Sequence, residues 1–173
     1  MKVTLNLIVA ILIMFILMGC NSGQPVPTDV EMIEHFKKHE ILFEELCSMI
    51  ENDSLRHYPL FAQEIRDSIP LAISAERASE YDSLMKVIQI KSFLGYSNHI
   101  NSERESILFF YFEKGDATWG IEKGFEYVLD RSKEDNKEFT EMELYDLAIE
   151  KRENCFLYKK INEKWNLFLF YDR

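Results

Sequence analysis

The 173-residue chain carries 20 Lys and Arg against 30 Asp and Glu, a formal net charge of −10, and 47% of its residues are hydrophobic. That balance excludes nucleic acid as the natural partner, because phosphate neutralisation needs a basic patch. It also disfavours contact between the protein surface and anionic lipid headgroups.

The first segment reads as an export signal. Lys2 supplies the positive start, and Leu7 to Met18 is an unbroken apolar run of 12 residues. A helix needs about 20 apolar residues to cross the hydrocarbon core, so this run is too short to span a bilayer. It fits the apolar centre of a signal peptide instead. Leu17-Met18-Gly19-Cys20 has the order of a lipobox, which makes residues 1–19 a lipoprotein signal peptide and Cys20 the lipidated residue. One acyl chain holds a protein only marginally, whereas three make attachment effectively permanent. Asn21 after the cysteine favours the outer membrane, facing the periplasm. Residues 20–27 form a lipidated tether rich in small residues, polar residues and proline. The fold is expected to occupy residues 28–173 as a single domain. Without the signal the chain keeps 19 basic and 30 acidic side chains, a net charge of −11. The ordinary meaning of such a charge is a solvated surface, and the sharper one is an acidic face for a basic partner.

Thr28 and Glu31 have the spacing of a capping box and open the first helix. Ile33, Phe36, Phe43, Leu46, Cys47 and Ile50 then recur on one face, and Asn52-Asp53-Ser54 ends it. Residues 55–73 contain Pro59 and Pro70 and predict irregular structure with short pieces. Ser74 opens a second helix that carries Arg77, Tyr81, Leu84, Met85 and Ile88 on one face and ends by Ile90. Lys91–Tyr96 is a candidate strand. Ser106–Phe112 is rich in strand-favouring aromatics, and Glu113–Asp116 reads as a turn. Trp119–Leu129 reads as the returning strand, with Gly120 and Gly124 permitting a bend or bulge. Arg131–Glu138 is a charged loop. Thr140 and Glu143 repeat the capping-box spacing, predicting a helix at 142–149. Cys155–Ile161 and Trp165–Tyr171 read as strands joined by a turn at 162–164.

The expected fold class is therefore α+β, with N-terminal amphipathic helices packed on a C-terminal antiparallel sheet of about four to five strands. Phe109-Phe110-Tyr111-Phe112 is apolar on both strand faces, which argues that both faces are covered. Core filling is preferred over a cupped sheet holding an apolar ligand.

Little in the chain has the spacing of a catalytic device. His35 and His39 stand four apart, as metal-binding histidines on a helix do, but Phe43 takes the place of the second His in an HExxH pattern and no third ligand is apparent. No metal or other cofactor is assigned. No G-x-S-x-G elbow, phosphate-binding glycine loop or C-x-x-C pair occurs. Glu44-Glu45 reads as a solvated pair on the polar helix face. No catalytic residue is assigned, and the protein is expected not to be an enzyme. Once Cys20 carries lipid, Cys47 and Cys155 remain as a candidate disulfide in an oxidising compartment. The alternative is two buried free thiols.

The helix from Ile33 to Asp53, with its F-x-x-H-x-x-x-F-E-x-L pattern, resembles the opening of a group of small bacterial lipoproteins in which a lipobox and short tether precede such a helix. The tail from Tyr158 through Trp165 to Asp172 is similar to their closing hairpin, and Gly120, Lys123-Gly124 and Tyr127 to their middle strand. The group has no established activity, so the resemblance implies an anchor and a packing pattern and carries over no functional residues. The expected function is that of a lipid-anchored envelope lipoprotein, held in the membrane through Cys20, with a non-catalytic role as a protein-binding or accessory domain and an envelope protein as partner. Two alternatives are an immunity or inhibitor protein against a periplasmic toxin or hydrolase, and an enzyme or ligand-binding protein whose pocket holds His57 or His99 with a carboxylate.

Overall fold

A computed structural model describes residues 25–55, 57–58, 73–96, 106–115, 120–130 and 137–173. The expected signal peptide, Cys20, most of the expected tether, most of the irregular segment expected at 55–73, His99 and most of the charged loop expected at 131–138 lie outside the described residues, as does the His57 side chain.

Helix α1 spans Asp29–Asp53, and its start is the capping box that the sequence predicts. The Thr28 hydroxyl accepts from the Glu31 N–H at 3.2 Å, and the Glu31 carboxylate accepts from the Thr28 N–H at 2.8 Å. Ser54 ends the helix in the left-handed region, with φ 54°. The buried stripe is Met32, Phe36, Phe43, Leu46, Cys47 and Ile50. Met32 rather than Ile33 takes the first core place, because it lies one turn before Phe36 on the same stripe. Helix α2 spans Ala75–Val87 with Ser74 as its cap. Asp53 ties the two helices together: its Oδ2 accepts from Arg77 Nε at 2.6 Å and from the Tyr81 hydroxyl at 2.8 Å.

The strands are β1 (His57–Tyr58), β2 (Ser92–Tyr96), β3 (Ser106–Gly115), β4 (Gly120–Val128), β5 (Glu138–Phe139), β6 (Cys155–Lys160) and β7 (Trp165–Asp172), with helix α3 (Leu144–Lys151) between β5 and β6. Among the described residues they form one seven-stranded sheet in the order β1-β2-β3-β4-β7-β6-β5. The fold is α+β, with the N-terminal helices on a mostly antiparallel sheet. Two strands exceed the expected number. Each is only two residues long, too short to show a period of two, and β5 pairs with β6 in parallel. β3 also continues through the expected turn, since Glu113, Lys114 and Gly115 pair with Glu122, Ile121 and Gly120.

The irregularity expected from the β4 glycines falls on β3 instead. Phe110 pairs with Gly124 and Phe112 with Lys123, leaving Tyr111 as the extra residue of a bulge. Gly124 has a different task, because a Cβ there would sit 2.0 Å from the Phe109 carbonyl oxygen. Only glycine permits that approach of the two strands.

Phe36 and Phe43 of α1 pack with Phe109, Phe125 and Trp165 of the sheet, their ring centroids 5.0 to 6.2 Å apart. On the opposite face Phe168 stacks on Phe156 at 5.5 Å and meets the edge of Phe110 at 5.5 Å. Alternation along β3 thus sends Phe109 to one face and Phe110 to the other. Both faces of the central strands carry buried apolar side chains, as the aromatic run implies.

Candidate functional site

The most unusual residue of the core is Lys123. It follows the alternation Ile121, Lys123, Phe125 onto the helix-covered face of β4, and it is fully buried. Its ammonium faces three oxygens, two through hydrogen bonds and one as an ion pair. Nζ donates to the Pro27 carbonyl at 2.7 Å, contacts Asp29 Oδ1 at 2.7 Å and reaches Glu143 Oε1 at 3.0 Å. Two hydrogen bonds and a carboxylate counter-charge are what make burial of this ammonium tolerable.

Around Lys123 two helix starts cap each other across more than a hundred residues. Asp29, the first residue of α1, accepts the Leu144 N–H of α3 on Oδ2 at 3.1 Å. Glu143, just before α3, accepts the Asp29 N–H on both carboxylate oxygens at 2.8 and 3.0 Å. Lys159 of β6 closes the cluster at 2.6 Å from Asp29 Oδ2. Two ammonium groups thus balance two carboxylates. Burial alone would raise the Asp29 carboxyl, but the hydrogen bonds from Lys123 and Lys159 outweigh it and hold the group below its ordinary range.

This geometry replaces the capping box expected at Thr140 and Glu143. Glu143 has no side-chain bond within its own helix, and α3 begins at Leu144. Thr140 accepts the Met142 N–H at 3.0 Å in a local turn. The Glu143 carboxylate is drawn away because Lys123 and the α1 N-terminus offer it a buried cation and an unpaired N–H.

Beside the cluster Pro25–Thr28, the residues that lead into α1, border an open cleft of about 770 Å³. Its other walls are Glu31 on α1, Gln89 and Lys91 after α2, and Tyr111 and Phe112 at the β3 bulge. The Tyr111 hydroxyl donates to Gln89 Oε1 at 3.0 Å, and Lys91 Nζ stands 5.9 Å from the Phe112 ring centre. Burial, together with the Glu31 charge, raises the Tyr111 hydroxyl pKa.

His35 and His39 do face each other, with ring centroids 4.8 Å apart. The arrangement is structural: His35 Nε2 lies 2.8 Å from the Ile88 carbonyl at the end of α2. Burial lowers the His35 pKa, the Ile88 carbonyl opposes that, and His39 and Lys38 reinforce it. Among the described residues no group of three metal-donor side chains occurs. Glu44 is not a solvated partner of Glu45 as expected, since it accepts the Trp165 indole N–H at 3.2 Å.

Cys47 and Cys155 are free thiols. Cys47 lies one turn beyond Glu44, at the Trp165 end of β7, while Cys155 pairs with Tyr171 near the other end. Six residues of strand cover about 20 Å, and a disulfide needs Cα atoms within about 7 Å. The cross-link that the sequence allowed is therefore not made. Burial raises both thiols, most strongly Cys47.

Comparisons of the chain with protein-family models, curated proteins and solved structures return no match. The ionic cluster escaped the reading of the sequence because its members are 29, 123, 143 and 159, four residues with no shared motif. One signal was present: a lysine at an inward position of an otherwise apolar strand face.

Proposed function

We propose that the mature chain is a lipid-anchored envelope lipoprotein facing the periplasm, most simply on the outer membrane, and that it serves as a non-catalytic protein-binding or accessory domain. The observation that carries this reading is the lipobox Leu17-Met18-Gly19-Cys20, followed by only seven residues before the Thr28 helix cap. So short a tether holds the domain beside the bilayer rather than letting it range through the periplasm.

The buried polar groups support the non-catalytic half of the reading. The Lys123 ammonium is engaged with Pro27, Asp29 and Glu143, and His35 with the Ile88 carbonyl. Groups so engaged stabilise a junction and are not poised for proton transfer to a substrate.

The test is Cys20→Ala, followed by fractionation and a high-salt wash. The variant is expected in the soluble fraction while the wild type stays in the membrane. Retention of the variant in the membrane would refute the anchor. Intact mass of the wild type should show acylation at residue 20 and loss of residues 1–19. Cross-linking of the anchored wild type in envelope preparations should yield a discrete adduct with an envelope protein, and its absence at saturating cross-linker counts against a protein partner.

A further inference from the structure

We propose that the cleft at the tether exit docks onto the zwitterionic phospholipid headgroups of the membrane that carries the anchor. This rests on the lipoprotein reading and adds a direction to it. Five peptide steps join Cys20 to Pro25, and five residues at full extension cover at most about 17 Å. The far end of that reach is fixed. The Pro27 carbonyl is held by Lys123, and the Asp29 N–H is held by Glu143. The lipid therefore cannot lie far from the cleft that Pro25–Thr28 border, and this end of the molecule faces the bilayer.

The chemistry of the walls fits a headgroup that carries both signs. Lys91 offers an exposed ammonium for a phosphodiester. Across the cleft Glu31 offers a carboxylate for a headgroup amine. Its pKa is lowered by the Thr28 N–H and then by the Thr28 hydroxyl, so it is ionised at neutral pH. Tyr111, half-buried on the cleft wall, supplies the aromatic surface that favours the level of the headgroups. A mature chain of net charge −11 is repelled by an anionic surface, which leaves the zwitterion as the lipid it can approach closely.

A separate observation points the same way. Val30, beside Glu31, is 64% exposed, and Val87, two residues before Gln89, is 54% exposed. Two large aliphatic side chains thus stand in the open in the first turn of α1 and the last turn of α2, the turns that flank the cleft. Docked at the interface they would lose contact with water.

The experiment uses the acylated mature chain in nanodiscs of phosphatidylethanolamine and phosphatidylcholine doped with a headgroup spin-labelled lipid. The amide signals of Val30, Gln89 and Lys91 should relax several-fold faster than those of Leu129 and Glu163. Lys91→Glu should reduce the enhancement at Gln89 about threefold or more, with the melting temperature and the N-terminal mass unchanged. Equal enhancement at all five positions, or enhancement at Gln89 untouched by Lys91→Glu, would overturn the docking site. Chemical-shift changes with soluble glycerophosphoethanolamine but no enhancement in nanodiscs would also overturn it, in favour of a free phosphodiester ligand. The anchor is judged separately: an unacylated N-terminus refutes the lipoprotein reading, whereas an acylated chain without enhancement refutes the docking alone.

Discussion

Lys123→Met removes a charge and keeps most of the volume. In the wild type the ammonium sits within 3.0 Å of Glu143 Oε1 and 2.7 Å of both Asp29 Oδ1 and the Pro27 carbonyl, with no exposure to solvent. The variant leaves the Pro27 carbonyl without that donor and leaves two carboxylates facing each other with only Lys159 to balance them. Breaking a buried pair by removing one partner costs about 3–5 kcal/mol. With a urea slope of about 1–3 kcal/mol/M for a domain of this size, the midpoint should fall by a molar or more at unchanged slope. Asp29→Asn combined with Lys123→Met should recover part of the loss, giving a coupling energy above about 1 kcal/mol. Acid adds a second readout. The Asp29 carboxyl is depressed in the folded state, so its contribution is present above the unfolded pKa near 4 and is lost as pH falls through the folded value. The wild type should lose stability below about pH 4 more steeply than Lys123→Met. A loss under about 1 kcal/mol, or equal acid slopes in the two proteins, would refute the reasoning.

Gly124→Ala should cost about 3 kcal/mol or prevent folding, because the new methyl would meet the Phe109 carbonyl at 2.0 Å; the thermal midpoint and soluble yield measure it. His35 has a lowered pKa in the folded state, so its neutral form favours folding above pH 6.5 and the benefit is lost as pH falls through the folded value. A proton NMR titration should place His35 below 6.5, and His35→Gln should flatten the stability profile just below about pH 6.5. Under non-reducing conditions the folded chain should show no Cys47–Cys155 link, and alkylation should reach Cys155 well before the buried Cys47; a native link found by mass analysis would contradict the strand spacing.

The first helix shows how much local chemistry decides. Thr28 and Glu31 form their reciprocal bonds within four residues, so the start of α1 is written in the chain itself. Ser74 does the same for α2, and the aromatic runs of β3 and β7 supply strands that bury on both faces. The same spacing at Thr140 and Glu143 misleads, because Glu143 is satisfied by partners near residues 29 and 123. Likewise Glu44 belongs to Trp165 and not to the solvent. In each case a side chain with a competent local role was taken by a distant group that, left alone, would have been a buried, unpaired charge or donor.

The sequence by itself determined the two leading helices and the strand character of the second half, and it alone carries the proposal of an export signal and an anchor at Cys20. These depend on apolar run length, cap spacing and side-chain period, all local properties. Only the tertiary structure decided that Lys123 is the centre of the junction, that Asp29 and Glu143 cap each other's helices, that Cys47 of α1 and Cys155 of β6 lie near opposite ends of β7, and that Pro25–Thr28 border a cleft. Those facts follow from sheet order and register, which bring residues far apart in the chain within hydrogen-bond reach and leave no trace in any single stretch of it.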